Sequence, residues 1–231
     1  MDEAEFDRFA DEYHRQHAES IRSSGEQPEF FHKYKITDVA AELAAKGSAP
    51  RRILDFGGGI GNSLPHMRAA FPQSEIVLLD PSAKSLAIAE ERHPEAARFQ
   101  QFDGQTIPFP DNHFDAAFAA CVFHHIPEEL QVPLLREIRR VLAPGGDLFI
   151  FEHNPYNPLT VQAVRNCPFD ENAVLIKAQL MQKRLRAAGL EKQKTVFRLF
   201  FPHMLRKLRF FEAYLRWLPL GAQYYIRASA D

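Results

Sequence analysis

The sequence predicts an α/β fold, a doubly wound and mostly parallel sheet flanked by helices and preceded by an N-terminal helical cap. Two observations predict it. Short apolar runs alternate with helical stretches between residues 51 and 153, which is the pattern of a parallel sheet. A glycine-rich turn follows the first of these runs, and such folds bind ligands at that edge of the sheet.

The composition is that of a globular protein. The 231-residue chain is 45% apolar and 25% charged, and its length suits a single domain. No apolar run reaches the roughly 20 residues that span a bilayer, and the acidic first residues are unlike a secretory signal. We therefore expect a cytoplasmic protein without stable membrane insertion. Cys121 and Cys167 are too few for a disulfide framework or a four-cysteine zinc site.

The charge is divided unevenly along the chain. Residues 1–171 contain 16 Lys/Arg against 27 Asp/Glu, whereas residues 172–231 contain 12 against 3, which sums to the net charge of −2. Such a division indicates either two faces that attract one another or a basic tail with an anionic partner. We expect no nucleic-acid partner, because the pI is 6.6 and no nucleic-acid-binding motif is present.

Residues 1–49 contain no strand pattern and are predicted to form the helical cap. A second helix is predicted over residues 29–46, ended by Gly47 and Pro50. The first helix is predicted from residues spaced by three and four: Phe6, Phe9, Tyr13, His17 and Ile21.

Residues 50–153 are predicted to form the cofactor-binding core. The predicted strands cover 53–56, 75–80, 97–102, 114–121 and 147–152, and the predicted helices cover 62–71, 83–92 and 128–142. Because ligands bind beyond the carboxyl ends of parallel strands, the polar residues at those ends are the candidates for function.

Residues 154–231 are predicted to add substrate-side helices and the C-terminal strands to the same single domain. We predict a helix over 172–188, a strand over 190–201, a helix over 204–218 and a last strand over 223–230. One face of the 204–218 helix is apolar, and one interpretation is that it packs on the sheet: Met204, Leu208, Phe211, Leu215 and Leu218. The cations of this segment are expected to lie on a solvated face, with an anionic lipid or nucleic acid as the alternative: Arg206, Lys207, Arg209 and Arg216.

The glycine turn does not have the spacing of a dinucleotide site. Its glycines stand at 57, 58, 59 and 61, and no three of them fall at i, i+2 and i+5. Asp55 would repel a pyrophosphate but could hold an amino group. Asp80, which ends the second predicted strand, is placed to bind ribose hydroxyls, and Asp103 after the third could accept from an adenine amino group. An ammonium, a ribose and an adenine without phosphate describe S-adenosylmethionine.

These motifs resemble those of the class I S-adenosylmethionine-dependent methyltransferases, particularly the small-molecule enzymes similar to methyltransferase types 11 and 12. The resemblance is carried by residues 55–61, 79–82, 102–115 and 135–146. It departs from the family at Phe56, where a smaller residue is usual, and at the additional Gly58. The resemblance implies a Rossmann-like sheet of seven strands with the last antiparallel. It also implies methyl transfer to an oxygen or nitrogen of a small-molecule substrate, with S-adenosylhomocysteine as product.

The candidate site residues come from these strand ends and from the family's motifs. The candidates for cofactor binding are Asp55, Gly57, Gly59, Gly61, Asp80, Pro81, Phe102, Asp103, Gly104, Cys121 and Tyr34. The candidates for catalysis or substrate orientation are His124, His125, Glu152 and His153.

Several alternatives stay open at this stage. Asp103 and Gly104 are also a common turn pair, Tyr34 could pack in the core, and one of the two adjacent histidines could be structural. We expect no metal, although Glu152 and His153 with a histidine of the 124–125 pair could ligate one. The competing functions are a nicotinamide-dependent oxidoreductase and a non-catalytic S-adenosylmethionine-binding scaffold. The chain could also form a homodimer.

Overall fold

The fold is a seven-stranded sheet between two layers of helices, as a computed structural model shows for residue 21 and residues 24–170 and 172–230. The strand order is β3-β2-β1-β4-β5-β7-β6. Strands β1 to β5 pair in parallel, and β7 pairs antiparallel with both β5 and β6. The predicted sheet with an antiparallel last strand is confirmed. The first predicted helix of the cap lies outside the described residues, apart from Ile21.

The strands follow the predicted order. They are β1 (Arg52–Phe56), β2 (Glu75–Asp80), β3 (Arg98–Gln101), β4 (Phe114–Ala120), β5 (Leu142–His153), β6 (Lys192–Arg198) and β7 (Gln223–Ser229). Strand β5 begins five residues before the predicted start, because the predicted turn at Gly145 continues the strand with a register shift against β4. Strand β6 is shorter than its prediction over 190–201, since it covers Lys192–Arg198.

The helices are shorter than predicted after β5. They are α1 (Pro28–Ala45), α2 (Leu64–Ala70), α3 (Ala83–Arg92), α4 (Glu128–Val141), α5 (Pro158–Arg165), α6 (Ala178–Ala187) and α7 (Glu212–Leu215). Helix α6 starts six residues after the predicted start, where the Val174 amide instead donates to the His124 carbonyl at 2.9 Å. None of the helices in the described ranges has the length and apolar character that crossing a bilayer requires.

Each face of the sheet carries its own apolar core. Helices α1, α2 and α3 cover one face, where Val39, Met67 and Leu86 pack with strand residues such as Phe118. Helices α4 and α6 cover the other, where Ile138 and other residues pack on the strands. Helix α1 therefore forms part of the layer over one sheet face, and the buried strands account for the nearly continuous apolar runs in the sequence.

The acidic and basic parts of the chain contact each other across this layer. Asp38 in α1 accepts from Arg198 at 2.6 Å, and Glu42 accepts from Lys194 at 2.6 Å and from Arg227 at 2.9 Å. Cations of β6 and β7 are thus paired with carboxylates of α1, which gives a structural basis for part of the charge division.

The prediction of one helix over residues 204–218 is wrong. A 3₁₀ helix covers His203–Phe211, with non-helical backbone at Leu205, and the short α7 follows it. The apolar face does not pack on the sheet: Met204 is 89% exposed and Phe211 is 46% exposed. The residue of α7 that is buried is the charged Glu212, so the inward side of this segment is polar.

Candidate active site

The glycine turn after β1 lies against the end of β4 and leaves one side open. Gly57 has φ of +69°, and a Cβ there would lie 2.7 Å from a methyl group of Val122. Gly59 has φ of +53°, and apart from its two chain neighbours no atom of the described residues lies within 4 Å of where its Cβ would be. Positive φ strains any other residue, so the turn requires glycine at both positions. The open side at Gly59 lets a ligand approach the backbone.

Asp80 fastens this turn to the end of β2. Its Oδ2 accepts from the Gly59 amide at 2.9 Å, and its Oδ1 accepts from the Ser82 amide at 2.9 Å. Pro81 follows, and the Ser82 hydroxyl caps α3 by accepting from the Ser85 amide at 3.0 Å. A carboxylate offers about four acceptor positions, so Asp80 can hold the turn and also accept from ligand hydroxyls.

Asp55 is a buried acid below the same turn. It is 2% exposed, and its Oδ2 has no hydrogen-bond partner within the described part of the chain. A Cβ at Gly58 would lie 2.8 Å from this oxygen. Burial, and secondly the charge of Asp80, raise the pKa of Asp55 to about 7. A buried acceptor without a donor calls for a ligand, and a cationic ligand would return the carboxylate to its charged form.

Asp103 and Gly104 form a turn after β3, which was the alternative to a binding role for this pair. Asp103 Oδ1 accepts from the amides of Gln105 and Thr106 at 2.8 and 2.7 Å, and these bonds lower the pKa of Asp103. Gly104 has φ of +78°. Phe102 is 6% exposed and its ring lies 5.6 Å from that of Phe56. Phe102 therefore contributes packing, while Asp103 is exposed at the rim.

The residues around the turn fit S-adenosylmethionine. The orphaned oxygen of Asp55 suits the ligand ammonium, the carboxylate of Asp80 suits the ribose, and the open face at Gly59 admits an uncharged linker between them. No lysine follows the glycines as it would in a phosphate-binding loop.

A buried ion pair joins the ends of β4 and β5. Glu152 is 0% exposed, its Oε2 lies 2.5 Å from His124 Nδ1, and its Oε1 accepts from the Phe123 amide at 2.8 Å. Burial disfavours charge on both groups, yet Glu152 raises the pKa of His124 well above its ordinary value, and His124 lowers the pKa of Glu152. Glu152 thus holds His124 in place through an ion pair, and the predicted part of Glu152 in orienting a substrate stays a prediction.

Asp170 completes this cluster, although no pattern in the sequence around it indicates such a role. Its Oδ1 lies 3.6 Å from His124 Nε2 and 3.3 Å from His125 Nε2. Burial lowers the pKa of His125, which is the less buried of the two histidines. The three ligand atoms lie within 4.8 Å of one another, a spacing that could hold a metal ion. Without a metal ion, burial acts to lower the pKa of His124 but Glu152 and Asp170 raise it, so the cluster is an ion pair; the absence of a metal stays a prediction.

A second group of polar side chains surrounds Cys121. Burial acts to raise the pKa of its thiol, but the Lys35 ammonium, at 3.3 Å from Sγ, and His153 lower it to about 7. Gln223 lies 3.3 Å from His153 and accepts from the Tyr34 hydroxyl. Tyr34 is 8% exposed and its ring centroid lies 6.2 Å from that of Phe151, and its predicted part in cofactor binding stays a prediction. Lys35 and Gln223 are site residues that only the fold brings to β4.

A largely apolar cavity opens beside His153. Its aromatic and aliphatic wall includes Phe30, Phe31, Leu159, Leu199, Phe200 and Phe201. Its polar members are Ser24, Glu26, His153, Asn157, Thr160, Arg209 and Gln223.

Comparison with known proteins identifies the core. The sequence model of the family described as "Methyltransferase domain" matches residues 53–146, which contain the glycine turn, Asp80 and the 124–125 histidines. Residues 53–146 are a class I S-adenosylmethionine-dependent methyltransferase domain. The match confirms the predicted family and cofactor, and the family is one of enzymes.

The curated relatives of this methyltransferase domain are quinone methyltransferases. A demethylmenaquinone methyltransferase of Thermus thermophilus is 38% identical over 120 residues, which are 50% of this chain and 53% of that protein. The Ubiquinone/menaquinone biosynthesis C-methyltransferase UbiE of Hahella chejuensis is 32% identical over 118 residues, 48% of this chain and 47% of that protein. The chain thus spans about half the length of the curated relatives it matches.

Solved methyltransferase structures share the whole fold. A Thermotoga maritima structure, described as a possible histamine N-methyltransferase, has a TM-score of 0.70 at 20% identity and covers 99% of both chains. A Haemonchus contortus phosphoethanolamine N-methyltransferase, solved with S-adenosylhomocysteine, has a TM-score of 0.58 at 16% identity and covers 84% of this chain and 52% of its own. At these identities the likeness concerns the fold. The predictions of a cytoplasmic location, a homodimer and no nucleic-acid partner stay predictions.

Proposed function

We propose that the protein is an S-adenosylmethionine-dependent methyltransferase whose acceptor is a carbon atom of an apolar, hydroxylated ring of the quinol type. The observation that carries this proposal is the cavity of aromatic and aliphatic side chains around His153. Aromatic and aliphatic walls favour a flat apolar ring, and polar groups among them, here His153 and Gln223, orient it. The quinone chemistry in the names of the relatives supports the same class.

Three acids hold the cofactor in this proposal. Asp80 accepts from the ribose hydroxyls, Asp55 accepts from the ammonium directly or through water, and Asp103 accepts from the adenine amino group. Gly57, Gly59 and Gly61 provide the turn, and Pro81, Phe102, Gly104 and Cys121 line it. The cofactor supplies an activated methyl group on a sulfonium.

The affinity for S-adenosylmethionine is expected to fall at acidic pH. Only ionised Asp55 attracts the ligand ammonium, and its pKa of about 7 means that acidification neutralises it. Since one pKa unit corresponds to a tenfold factor, the dissociation constant at pH 6 should be about tenfold higher than at pH 8. Isothermal titration calorimetry at both pH values measures this.

Asp55→Asn is the matched control for that measurement. The variant should bind S-adenosylmethionine more weakly than the wild type at pH 8. Because the amide does not titrate, the dissociation constant of the variant should be the same at pH 6 as at pH 8. A wild-type affinity that does not change between pH 6 and pH 8 would show that Asp55 does not contact the ammonium.

His125 is the proton acceptor in the proposed reaction. Its pKa is lowered, so its imidazole is neutral at pH 7, whereas His124 is held charged by Glu152 and Asp170. Removal of a hydroxyl proton from the acceptor by His125 places electron density on the neighbouring ring carbon. That carbon takes the methyl group as the bond between the methyl group and the sulfonium sulfur breaks and S-adenosylhomocysteine leaves, and loss of the proton of the same carbon then restores the aromatic ring. His124 and Glu152 position His125, and His153 and Gln223 orient the ring in the cavity.

Methyl transfer to 1,4-naphthoquinol is the expected activity. Incubation with isotopically labelled S-adenosylmethionine should give many molecules of S-adenosylhomocysteine per protein molecule and a product methylated on a ring carbon, which mass spectrometry and NMR locate. His125→Gln should lower kcat by about 100-fold or more, in the range of general base catalysis. His113→Gln, at the other end of β4, is the control and should leave kcat unchanged.

The product decides between the proposed acceptor and the alternatives. A methyl group on oxygen, or turnover only with amines, would contradict the carbon acceptor and favour the oxygen or nitrogen acceptor that the sequence analysis predicts. Fewer than one S-adenosylhomocysteine per protein with any acceptor in a cell extract would favour the non-catalytic scaffold. Saturable binding of NADH would favour the oxidoreductase.

A further inference from the structure

Residues 203–220, which we call the interfacial segment, expose an unusual number of large apolar side chains. Among them Met204 is 89% exposed, Phe210 65%, Tyr214 76%, Trp217 74% and Leu220 55%. None of the nine residues of its 3₁₀ helix is buried. Contiguous apolar side chains on the surface of a globular protein mark a place of contact with another molecule or a membrane.

The segment is fixed to the domain through polar groups, which turns its apolar side chains outward. Arg209 donates to Glu26 at 2.5 Å and to the Phe201 carbonyl. The buried Glu212 accepts from the Phe200 amide at 3.1 Å. Arg209 also lies over the Phe30 ring at 4.7 Å, and Leu215 and Leu218 are half-buried. The exposed apolar side chains therefore lie on the outer face of the segment.

The charge of the segment selects an anionic partner. It contains four Lys/Arg and one acid. Glu212 faces inward, while Arg206, Lys207 and Arg216 are exposed beside the apolar side chains. Aromatic and aliphatic residues interleaved with cations are the composition of helices that lie in the interface of an anionic bilayer.

The position of the segment connects it to the cavity. Pro202 and Arg209, at its base, line the same cavity as His153. A ring with an apolar tail could pass from a bilayer into this cavity without crossing water. This last step rests on the proposed function, but the binding of the surface does not.

We propose that the interfacial segment seats the enzyme peripherally on an anionic lipid bilayer, with its aromatic side chains inserted among the acyl chains and its cations at the headgroups. No bilayer-spanning helix is involved, and the binding is reversible and salt-dependent.

Trp217 reports on this contact directly, because it is the only tryptophan of the chain. The full-length protein is mixed with vesicles of phosphatidylcholine alone, or of phosphatidylcholine with 30% phosphatidylglycerol, without cofactor or acceptor. With the anionic vesicles we expect a blue shift of Trp217 emission and co-flotation of the protein, and 0.5 M salt should weaken both. Because no turnover is measured, failure of this proposal is separate from failure of the proposed reaction.

Matched variants distinguish the effect of cations in the interfacial segment from the effect of the protein's overall charge. Arg206→Gln with Lys207→Gln should weaken binding to the anionic vesicles by about 25-fold, about fivefold for each cation. The control, Lys183→Gln with Arg186→Gln in α6, removes the same charge from exposed residues elsewhere and should change binding by less than threefold. Phe210→Ser with Tyr214→Ser should abolish the blue shift, whereas the exposed Val174→Ser should not.

Three results would overturn the proposal. The first is no blue shift and no flotation with either kind of vesicle. The second is equal weakening by the segment variant and the α6 control. The third is a Trp217 that is shielded from acrylamide before lipid is added and becomes exposed on dilution or on deletion of residues 1–20, since a second copy or the acidic N-terminal segment would then be its partner.

Discussion

Replacing Asp80 with alanine should raise the dissociation constant of S-adenosylmethionine by about 100-fold or more. The proposed contact is a pair of charge-assisted hydrogen bonds to the ribose, each contributing about 1.5–3 kcal/mol, and 3 kcal/mol corresponds to about two orders of magnitude in affinity. The variant also frees the Gly59 amide from its bond to Oδ2, so the turn is less well ordered for the ligand. Calorimetric titration at pH 8 measures the effect.

Glu75→Ala is the matched control, since Glu75 is an exposed acid at the other end of β2. It should bind the cofactor like the wild type. The thermal midpoint of Asp80→Ala should be measured beside its affinity, so that weak binding is not confused with unfolding. A dissociation constant within threefold of the wild type in a folded Asp80→Ala variant would contradict the ribose assignment.

Replacing Glu152 with alanine should lower the free energy of unfolding by about 3–5 kcal/mol. That is the cost of leaving one partner of a buried ion pair without the other, and both side chains are about 1% exposed. The Phe123 amide would lose its acceptor as well. Urea denaturation at pH 6 measures the change.

The pH dependence of this contribution follows from the two pKa shifts. Because the pKa of His124 is raised, the contribution of His124 to the free energy of unfolding is fully present below its ordinary pKa of 6.5. This contribution is lost only as the pH rises through the raised pKa. Because the pKa of Glu152 is lowered, its contribution to the free energy of unfolding is fully present above its ordinary pKa of 4.5. This contribution is lost as the pH falls from 4.5 through the lowered pKa. The difference between wild type and variant should therefore be largest between about pH 4.5 and 6.5.

Asp111→Ala is the control for Glu152. Asp111 pairs with Arg140 at 2.8 Å but is 69% exposed, and exposed pairs contribute about 1 kcal/mol or less. The double variant of Glu152→Ala and His124→Ala should lose less free energy of unfolding than the two single variants added together. The reason is that the second substitution removes the buried His124 charge that the first one leaves unpaired. Equal losses for the Glu152 and Asp111 variants would show that no buried ion pair is present.

The sequence was sufficient to place the proposed cofactor-binding groups beside one another, because these groups are local. Asp55 and the glycines stand within seven residues of one another, and Asp80 ends the next strand. In a parallel sheet the carboxyl ends of adjacent strands share one edge, so strand assignment alone places these groups together. The alternation of apolar runs and helices likewise predicted the seven strands in order.

The acceptor half of the site was not predictable in the same way. Asp170 reaches His124 across 46 positions, and Gln223 reaches His153 across 70. Nothing near Asp170 in the sequence marks it as the partner of two histidines. Glu152 was identified at the end of its strand, but only the tertiary structure shows that it is buried and paired with His124.

For residues 204–218 the sequence pattern alone was not sufficient, and the tertiary structure was needed. Its apolar spacing indicates a helix with one apolar face, and periodicity has the same form whether that face packs on a sheet or faces outward. The tertiary structure decides, because Arg209 and Glu212 attach the segment through their charges. The sequence by itself determined the sheet, the glycine turn and the acids that follow each strand, since these depend on neighbours along the chain. Only the tertiary structure decided which histidine is charged, what surrounds Cys121 and which side of the basic tail faces outward, since these depend on distant residues meeting in space.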